Sequence, residues 1–266
     1  MFWYFGYGSN MALGSLRAKG VVPRQSEPAV LRGWRRRFNV QHFFLHEGGV
    51  GNIEPSVGAA DRAADQVWGV VHLCEDAHLA LLDATEAHGH GYQRVDVLLH
   101  TDHGERSAIA YVGMPSFIND ACRPTQRYLN ILLRGAEAAG LDADTLAALK
   151  REPVHVKQPV PRFAPPAGDF PEFNAATLAA QPSLTALDGA VFDMSRSRWQ
   201  HQHLMSFFGG RDMTLFHLQR LDSSDGRETL DDIRSGRLNA TQRLYLDEYL
   251  HEYAREYVYC GRYRTE

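Results

Sequence analysis

Three cysteines in 266 residues are too few for a disulfide framework, and Cys74, Cys122 and Cys260 lack metal-like spacing. They read as reduced, structural thiols, in keeping with a cytoplasmic protein. Neither sign of charge dominates. Lysine and arginine total 28 against 32 acids, a net charge of -4, which gives no general pull toward nucleic acid or membrane. No apolar run is long enough to cross a bilayer. No basic stretch precedes a long apolar one at the start, so a secretory signal is not expected. What the chain does have is apolar and aromatic side chain, 44% and 11% of the residues. That is enough for one large core or two modest ones.

The first third is rich in strand-like runs: FWYFGY, RFNVQHFFL, QVWGVVHL, YQRVDVLLH and SAIAYVGM. Helical patterns lie among and after them. EDAHLALLDATEA is one, PTQRYLNILLRGAEAAG another, and DADTLAALKRE opens with an Asp-x-Asp-Thr cap. Strict strand–helix alternation is missing, which predicts an α+β fold with a closed or strongly curved mixed sheet. Residues 154–182 hold much of the proline and no sustained period, and read as a linker or strap. Residues 183–266 form a second, smaller α+β unit. It contains the strand GAVFDMS and a helix in NATQRLYLDEYLHEYAREY capped by Asn239 or Thr241.

Two places invite chemistry. Leu79, Leu82 and Glu86 fall on one helical stripe, so Glu86 occupies a position the apolar pattern wants buried. It also sits near a helix C-terminus, since Gly89 and Gly91 follow. Both placements penalise its charged form, which suits a general base or acid. The alternative is a frayed last turn with Glu86 in solvent, and pattern alone leaves both open. The second place is GYGSN. Gly6 and Gly8 would clear space for a ligand, and backbone N–H groups at the start of a helix in MALGSLRA would face a carboxylate or oxyanion. The alternative is an ordinary strand–helix turn capped by Asn10.

With these segments in view, YFGYGSNM resembles the opening signature of the gamma-glutamylcyclotransferase family. LRGWRRRFNV, GGVGNIEPS, VWGVVHLCEDAHLALLDATEAHGHGYQRVDV and RPTQRYLNILLRGAEAAGLDADTLAALK continue the likeness in order, over residues 2–152. The resemblance implies a catalytic domain at residues 1–153 with a barrel fold. It implies cleavage of a gamma-glutamyl amide by the substrate's own alpha-amine, releasing 5-oxoproline and an amine or amino acid. Neither cofactor nor metal is implied. By the same resemblance Glu86 is the general acid/base, Tyr7, Gly8, Ser9 and Asn10 hold substrate, and Tyr111 and Tyr128 line the pocket. The partner is then a small gamma-glutamyl molecule, with no nucleic acid and no membrane. Free gamma-glutamyl amino acids, gamma-glutamyl amines and biosynthetic intermediates carrying a gamma-glutamyl protecting group remain open as substrates.

LRGWRRRF could in principle be a nucleic-acid patch, but strand alternation would split its arginines between faces. His88 and His90 could ligate zinc, yet spacing fixes no third ligand. They suit a loop over the leaving group. LDGAVFDMSRS, FFGGRDMT and the terminal helix resemble the cytochrome b5-like domains of the membrane-associated progesterone receptor type. Where those proteins place a haem-ligating tyrosine, this chain has Met205, with His201, His203 and His217 nearby. That resemblance implies a haem site on the second unit, or one that has lost its haem. Two rival readings follow: a haem- or lipophile-binding module on a non-catalytic scaffold, and a non-catalytic regulatory protein.

Overall fold

Five strands close into a barrel in the order β1 (Phe2–Gly6), β5 (Gln66–Cys74), β2 (Gln25–Arg32), β6 (Tyr92–Thr101), β7 (Gly104–Gly113). They belong to a computed structural model that describes residues 1–58 and 64–264. The barrel closes where β1 runs parallel to β7, with Tyr4 opposite Ile109. Every other seam is antiparallel. The alternation of FWYFG, VWGVV and AIAYV puts Phe5, Val67, Val71, Leu99 and Ala110 into one buried interior. β2 has no counterpart among the strands expected from sequence. Pro28 and Glu27 disguise it, yet Pro28 is tolerated because on its β6 side this strand is paired in register at Val30 and not at Pro28.

A separate antiparallel hairpin, β3 (Trp34–Gln41) and β4 (Gly49–Pro55), lies against the barrel. Two short helices flank the barrel end: α1 (Leu13–Ala18) and α2 (His78–Thr85). Leu16 and Leu82, both fully buried, pack them with Tyr4, Cys74 and Tyr111. The longer α3 (Gln126–Ala138) buries Leu129, Leu132 and Ala136 against Met11, Phe38 and Val70. Its successor α4 (Ala143–Lys150) starts on the expected cap, with the Thr145 amide donating to Asp142 Oδ1 at 2.8 Å.

Contacts divide the chain into two units: Met1–His42 with Glu47–Val156, and Phe43–His46 with Lys157–Glu266. The second holds a four-stranded sheet in the order β8 (Glu172–Phe173), β11 (Val258–Tyr263), β10 (Ala190–Asp193), β9 (Leu184–Leu187). Its helices are α5 (Ala175–Ala179), α6 (Trp199–Phe208), α7 (Thr214–Leu218), α8 (Leu230–Arg234) and α9 (Ala240–Glu256). Asn239 caps α9 in a reciprocal box with Gln242. Tyr245, Tyr249 and Tyr253 then recur one turn apart and are all buried. Into that core goes Phe44, whose ring stacks on Tyr253 at 5.3 Å and on Phe208 at 6.2 Å.

Two expectations change here. The strand expected in RFNVQHFFL stops at Gln41, because Phe44 belongs to the aromatic core of the second unit. Of residues 154–182, expected as a linker, those from Lys157 onward belong to the second unit and carry β8 and α5. Lys157 pairs with Glu248 at 2.5 Å, and the Phe163 amide donates to Asp247 Oδ1 at 3.1 Å.

Candidate functional site

The first strand ends at Gly6, and its partner Val70 on β5 fixes where the chain leaves the barrel. There follows a single 3-10 turn, Ser9–Met11, and α1 begins only at Leu13 with Ala12 before it. Asn10 therefore lies inside the 3-10 turn and caps no helix. Asn10 is instead buried, and its side chain points inward. Its Nδ2 donates to the Tyr4 hydroxyl at 2.6 Å and to Glu86 Oε1 at 2.9 Å. The two glycines also have a packing reason within the fold. A Cβ on Gly6 would lie 2.8 Å from the Asn10 carbonyl oxygen, and one on Gly8 would lie 2.8 Å from the Tyr128 hydroxyl. Glycine is required so that the loop can fold back and Tyr128 can approach it. The Tyr128 hydroxyl accepts the Gly51 N–H at 3.0 Å and engages the Ser9 backbone, so it pins loop and hairpin together.

Glu86 is the C-cap of α2. Ala87 follows at φ 50, a left-handed conformation for a non-glycine residue, and its carbonyl accepts the amides of His90 and Gly91. The helix thus stops abruptly with the Glu86 carboxyl turned back over α1. Sequence reasoning missed the group that meets it. Lys19 Nζ donates to Glu86 Oε1 at 2.7 Å and to Asn10 Oδ1 at 2.9 Å. Lys19 is itself the C-cap of α1, so two helix C-termini converge with a cation on one and an anion on the other. The lysine offsets the unfavourable dipole that Glu86 faces alone. With side chains 12% and 15% exposed, the pair is neither buried dry nor free in water.

Around Glu86 stand five tyrosines. Burial, first, and the negative charge of Glu86 together raise the pKa of Tyr4 and Tyr7 well above 10. Tyr92, Tyr111 and Tyr128 are raised too, with burial again the largest cause and Glu86 contributing to each. At neutral pH these phenols are donors and acceptors but not bases. Tyr7 donates to the Tyr111 carbonyl, and Tyr92 donates to the Gly51 carbonyl at 2.8 Å. The Tyr111 hydroxyl is committed to Asp83 Oδ1 at 2.7 Å, and Asp83 pairs with Arg94 at 3.1 Å. Behind the loop His72 is fully buried. Its Nε2 reaches the Asn10 carbonyl at 2.9 Å and its Nδ1 the Ser26 hydroxyl at 2.8 Å. The carbonyl can only accept, so Nε2 carries the proton and Nδ1 accepts from Ser26. Burial lowers this imidazole to a pKa of about 4, so it stays neutral and holds the loop by that carbonyl.

Of the residues expected at the site, Tyr7, Gly8, Ser9, Asn10, Glu86, Tyr111 and Tyr128 fall in one neighbourhood. Lys19, Tyr4, Tyr92, His72 and Asp83 were not anticipated. Lys19 and His72 carry no motif, and only the fold brings them to the loop. His88 accepts weakly from the Arg94 amide at 3.4 Å, and the His90 ring packs edge-on to Phe117. In the second unit His201 is buried with both ring nitrogens engaged, Nδ1 with Tyr257 at 2.9 Å and Nε2 with the Phe43 carbonyl at 2.7 Å. His217 Nε2 bonds Tyr253 at 2.9 Å. His203 lies two residues from His201 on α6, so it points to the opposite side from His201 and Met205, which are one turn apart. Those three cannot all face one haem iron.

Residues 66–149 match the AIG2-like family. Among solved structures, one described as a gamma-glutamyl cyclotransferase is 24% identical. It covers 58% of this chain and 89% of its own, with a TM-score of 0.50. A Homo sapiens protein described as uncharacterized, loc79017, is 25% identical, covering 59% of this chain and 90% of its own, with a TM-score of 0.51. No curated protein matches the chain. The N-terminal region thus has the gamma-glutamyl cyclotransferase fold, a mixed sheet closed into a five-stranded barrel. The cytochrome b5-like expectation for residues 183–266 finds no support among these findings. No helix among the described residues is long and apolar enough to cross a membrane.

Proposed function

We propose that the N-terminal unit is a gamma-glutamyl cyclotransferase with Glu86 as its general base and acid. One observation carries the reading. The carboxylate of Glu86 stands at the glycine loop, its Oε1 held by Asn10 from that loop and by Lys19, with the Tyr4 hydroxyl on the same Asn10 amide. The tyrosines and the histidine of this neighbourhood are unsuited to taking a proton from substrate at neutral pH. The phenols stay protonated, and His72 is locked neutral behind the loop.

The chemistry follows from that arrangement. An alpha-ammonium is no nucleophile until it loses a proton, and a fixed carboxylate within hydrogen-bond reach can take it. The free amine attacks the gamma-carbonyl carbon of the same molecule. A C–N bond forms and the carbonyl electrons move to oxygen. The tetrahedral centre then collapses, the bond to the leaving nitrogen breaks, and Glu86 delivers its proton there. The second proton of the ring nitrogen leaves through Glu86, and the released amine departs as an ammonium. Holding the five-atom ring conformer substitutes for a second reactant, an advantage on the order of 10⁵ M in effective concentration. Asn10 and Lys19 position the carboxylate, and the Tyr4 and Tyr128 hydroxyls, which accept from Asn10 and Gly51, keep their own protons to donate to oxygens of the substrate. The test is a panel of gamma-glutamyl amino acids, gamma-glutamyl amines and glutathione, read by the mass of 5-oxoproline. Product from at least one substrate supports the proposal, and none from any of them refutes it.

A further inference from the structure

The arginine run LRGWRRRF is resolved by strand alternation into two faces. Arg35 and Arg37 point outward and pair with Glu54 at 3.4 Å and Asp120 at 2.6 Å. Arg36 points the other way, with Trp34 and Phe38, toward the barrel and α3. Its Nη2 donates to the Trp68 carbonyl, while its Nε–H is buried with no acceptor. Among the described residues no carboxylate pairs with it. Leaving a buried guanidinium donor unpaired is costly, and packing around Arg36 lowers its pKa to about 10. Tyr7 and Tyr128 lie within reach of its charge, and the same two tyrosines feel Glu86. Arg36 shares its face of β3 with Phe38, whose ring packs edge-on to Tyr128 at 6.2 Å, and it makes no bond to Glu86 or Lys19.

We propose that Arg36 binds a carboxylate carried by the leaving group, so that the substrate class is a gamma-glutamyl amino acid or peptide and not a gamma-glutamyl amine. The inference rests on the cyclotransferase reading. The substrate's alpha-carboxylate shares a carbon with the attacking amine, so it stays beside Glu86, where Lys19 supplies a cation. A carboxylate beyond the scissile amide lies away from the attacking amine, and Arg36, which shares no bond with Glu86 or Lys19, keeps a donor for it. A planar fork with a free N–H suits that group.

The experiment compares gamma-glutamyl-alanine with gamma-glutamyl-ethylamine, which lacks only the leaving-group carboxylate. Wild type is expected to favour the first in kcat/KM, chiefly through KM. Arg36→Gln keeps a donor for the Trp68 carbonyl but has no charge. It should raise KM for gamma-glutamyl-alanine roughly 10- to 100-fold and leave the ethylamine within about twofold. Arg36→Lys should recover part of the loss, and both variants should melt close to wild type. Equal losses on the two substrates, or a wild type that prefers the ethylamine, would overturn the role of Arg36 while leaving cyclotransfer intact. No 5-oxoproline from either substrate with wild type would overturn both.

Discussion

At the scale of single residues, the chemistry turns on a contact that the sequence does not advertise. Glu86 is legible as an acid out of place, on an apolar stripe and at a helix end, but Lys19 lies 67 positions away with no motif around it. Only the convergence of two helix C-termini brings them together. Glu86→Gln should lower 5-oxoproline formation by at least about 10³-fold, as expected for loss of a general base, with the melting temperature little changed. Lys19→Met should lower the rate roughly 10-fold or more, and Lys19→Arg, which preserves the charge, should retain most of it. Assays of purified variants on one substrate decide both. His72 makes a stability prediction. Its pKa is about 4 in the fold and about 6.5 when unfolded, so between those values the unfolded chain binds the extra proton. Stability is full above about pH 6.5 and should fall by up to about 3 kcal/mol as the pH drops toward 4. Urea titrations across that range on wild type and His72→Gln should show the slope shrink in the variant.

At the scale of elements, the strands and helices of the first unit are readable because their patterns are strong. The four runs corresponding to β1, β5, β6 and β7 are rich in Val, Phe and Tyr, and Asp142 caps α4 as its spacing suggests. β2 escapes because Pro28 and charged neighbours break the pattern, a defect the sheet tolerates where pairing is one-sided. The GYGSN loop is recognisable in the sequence, but the role of its glycines is not. Sequence shows that Cβ atoms are missing, and not which neighbour fills the space. In the fold the neighbour above Gly8 is the Tyr128 hydroxyl. Gly8→Ala should therefore cost about 1–3 kcal/mol of stability through overpacking. Removing the offending oxygen in the Gly8→Ala, Tyr128→Phe double variant should give back part of that cost. A double-mutant cycle by denaturant unfolding measures the coupling, and strictly additive losses would contradict the packing reason.

At the scale of the whole molecule, the division of the chain does not follow its linear order. Phe43–His46, flanked on both sides by residues of the first unit, packs with Lys157–Glu266. No composition signal marks these four residues, since Phe-Phe reads as a strand continuing from β3. Phe44→Ala should destabilise the second unit by about 3–5 kcal/mol. Hydrogen exchange should show α9 and β10 losing protection while β1, β5 and β6 keep theirs. The resemblance in the first unit covers enough separate motifs to indicate its barrel fold, whereas the few shared features behind the second resemblance could be met by an aromatic core of another kind. The proposed function stands on one conversion: gamma-glutamyl-alanine incubated with the full chain and with Glu86→Gln, each product identified by mass. The expected result is 5-oxoproline and alanine from wild type and neither from the variant. Equal yields from the two proteins would contradict it, because the carboxylate would then have no part in the reaction.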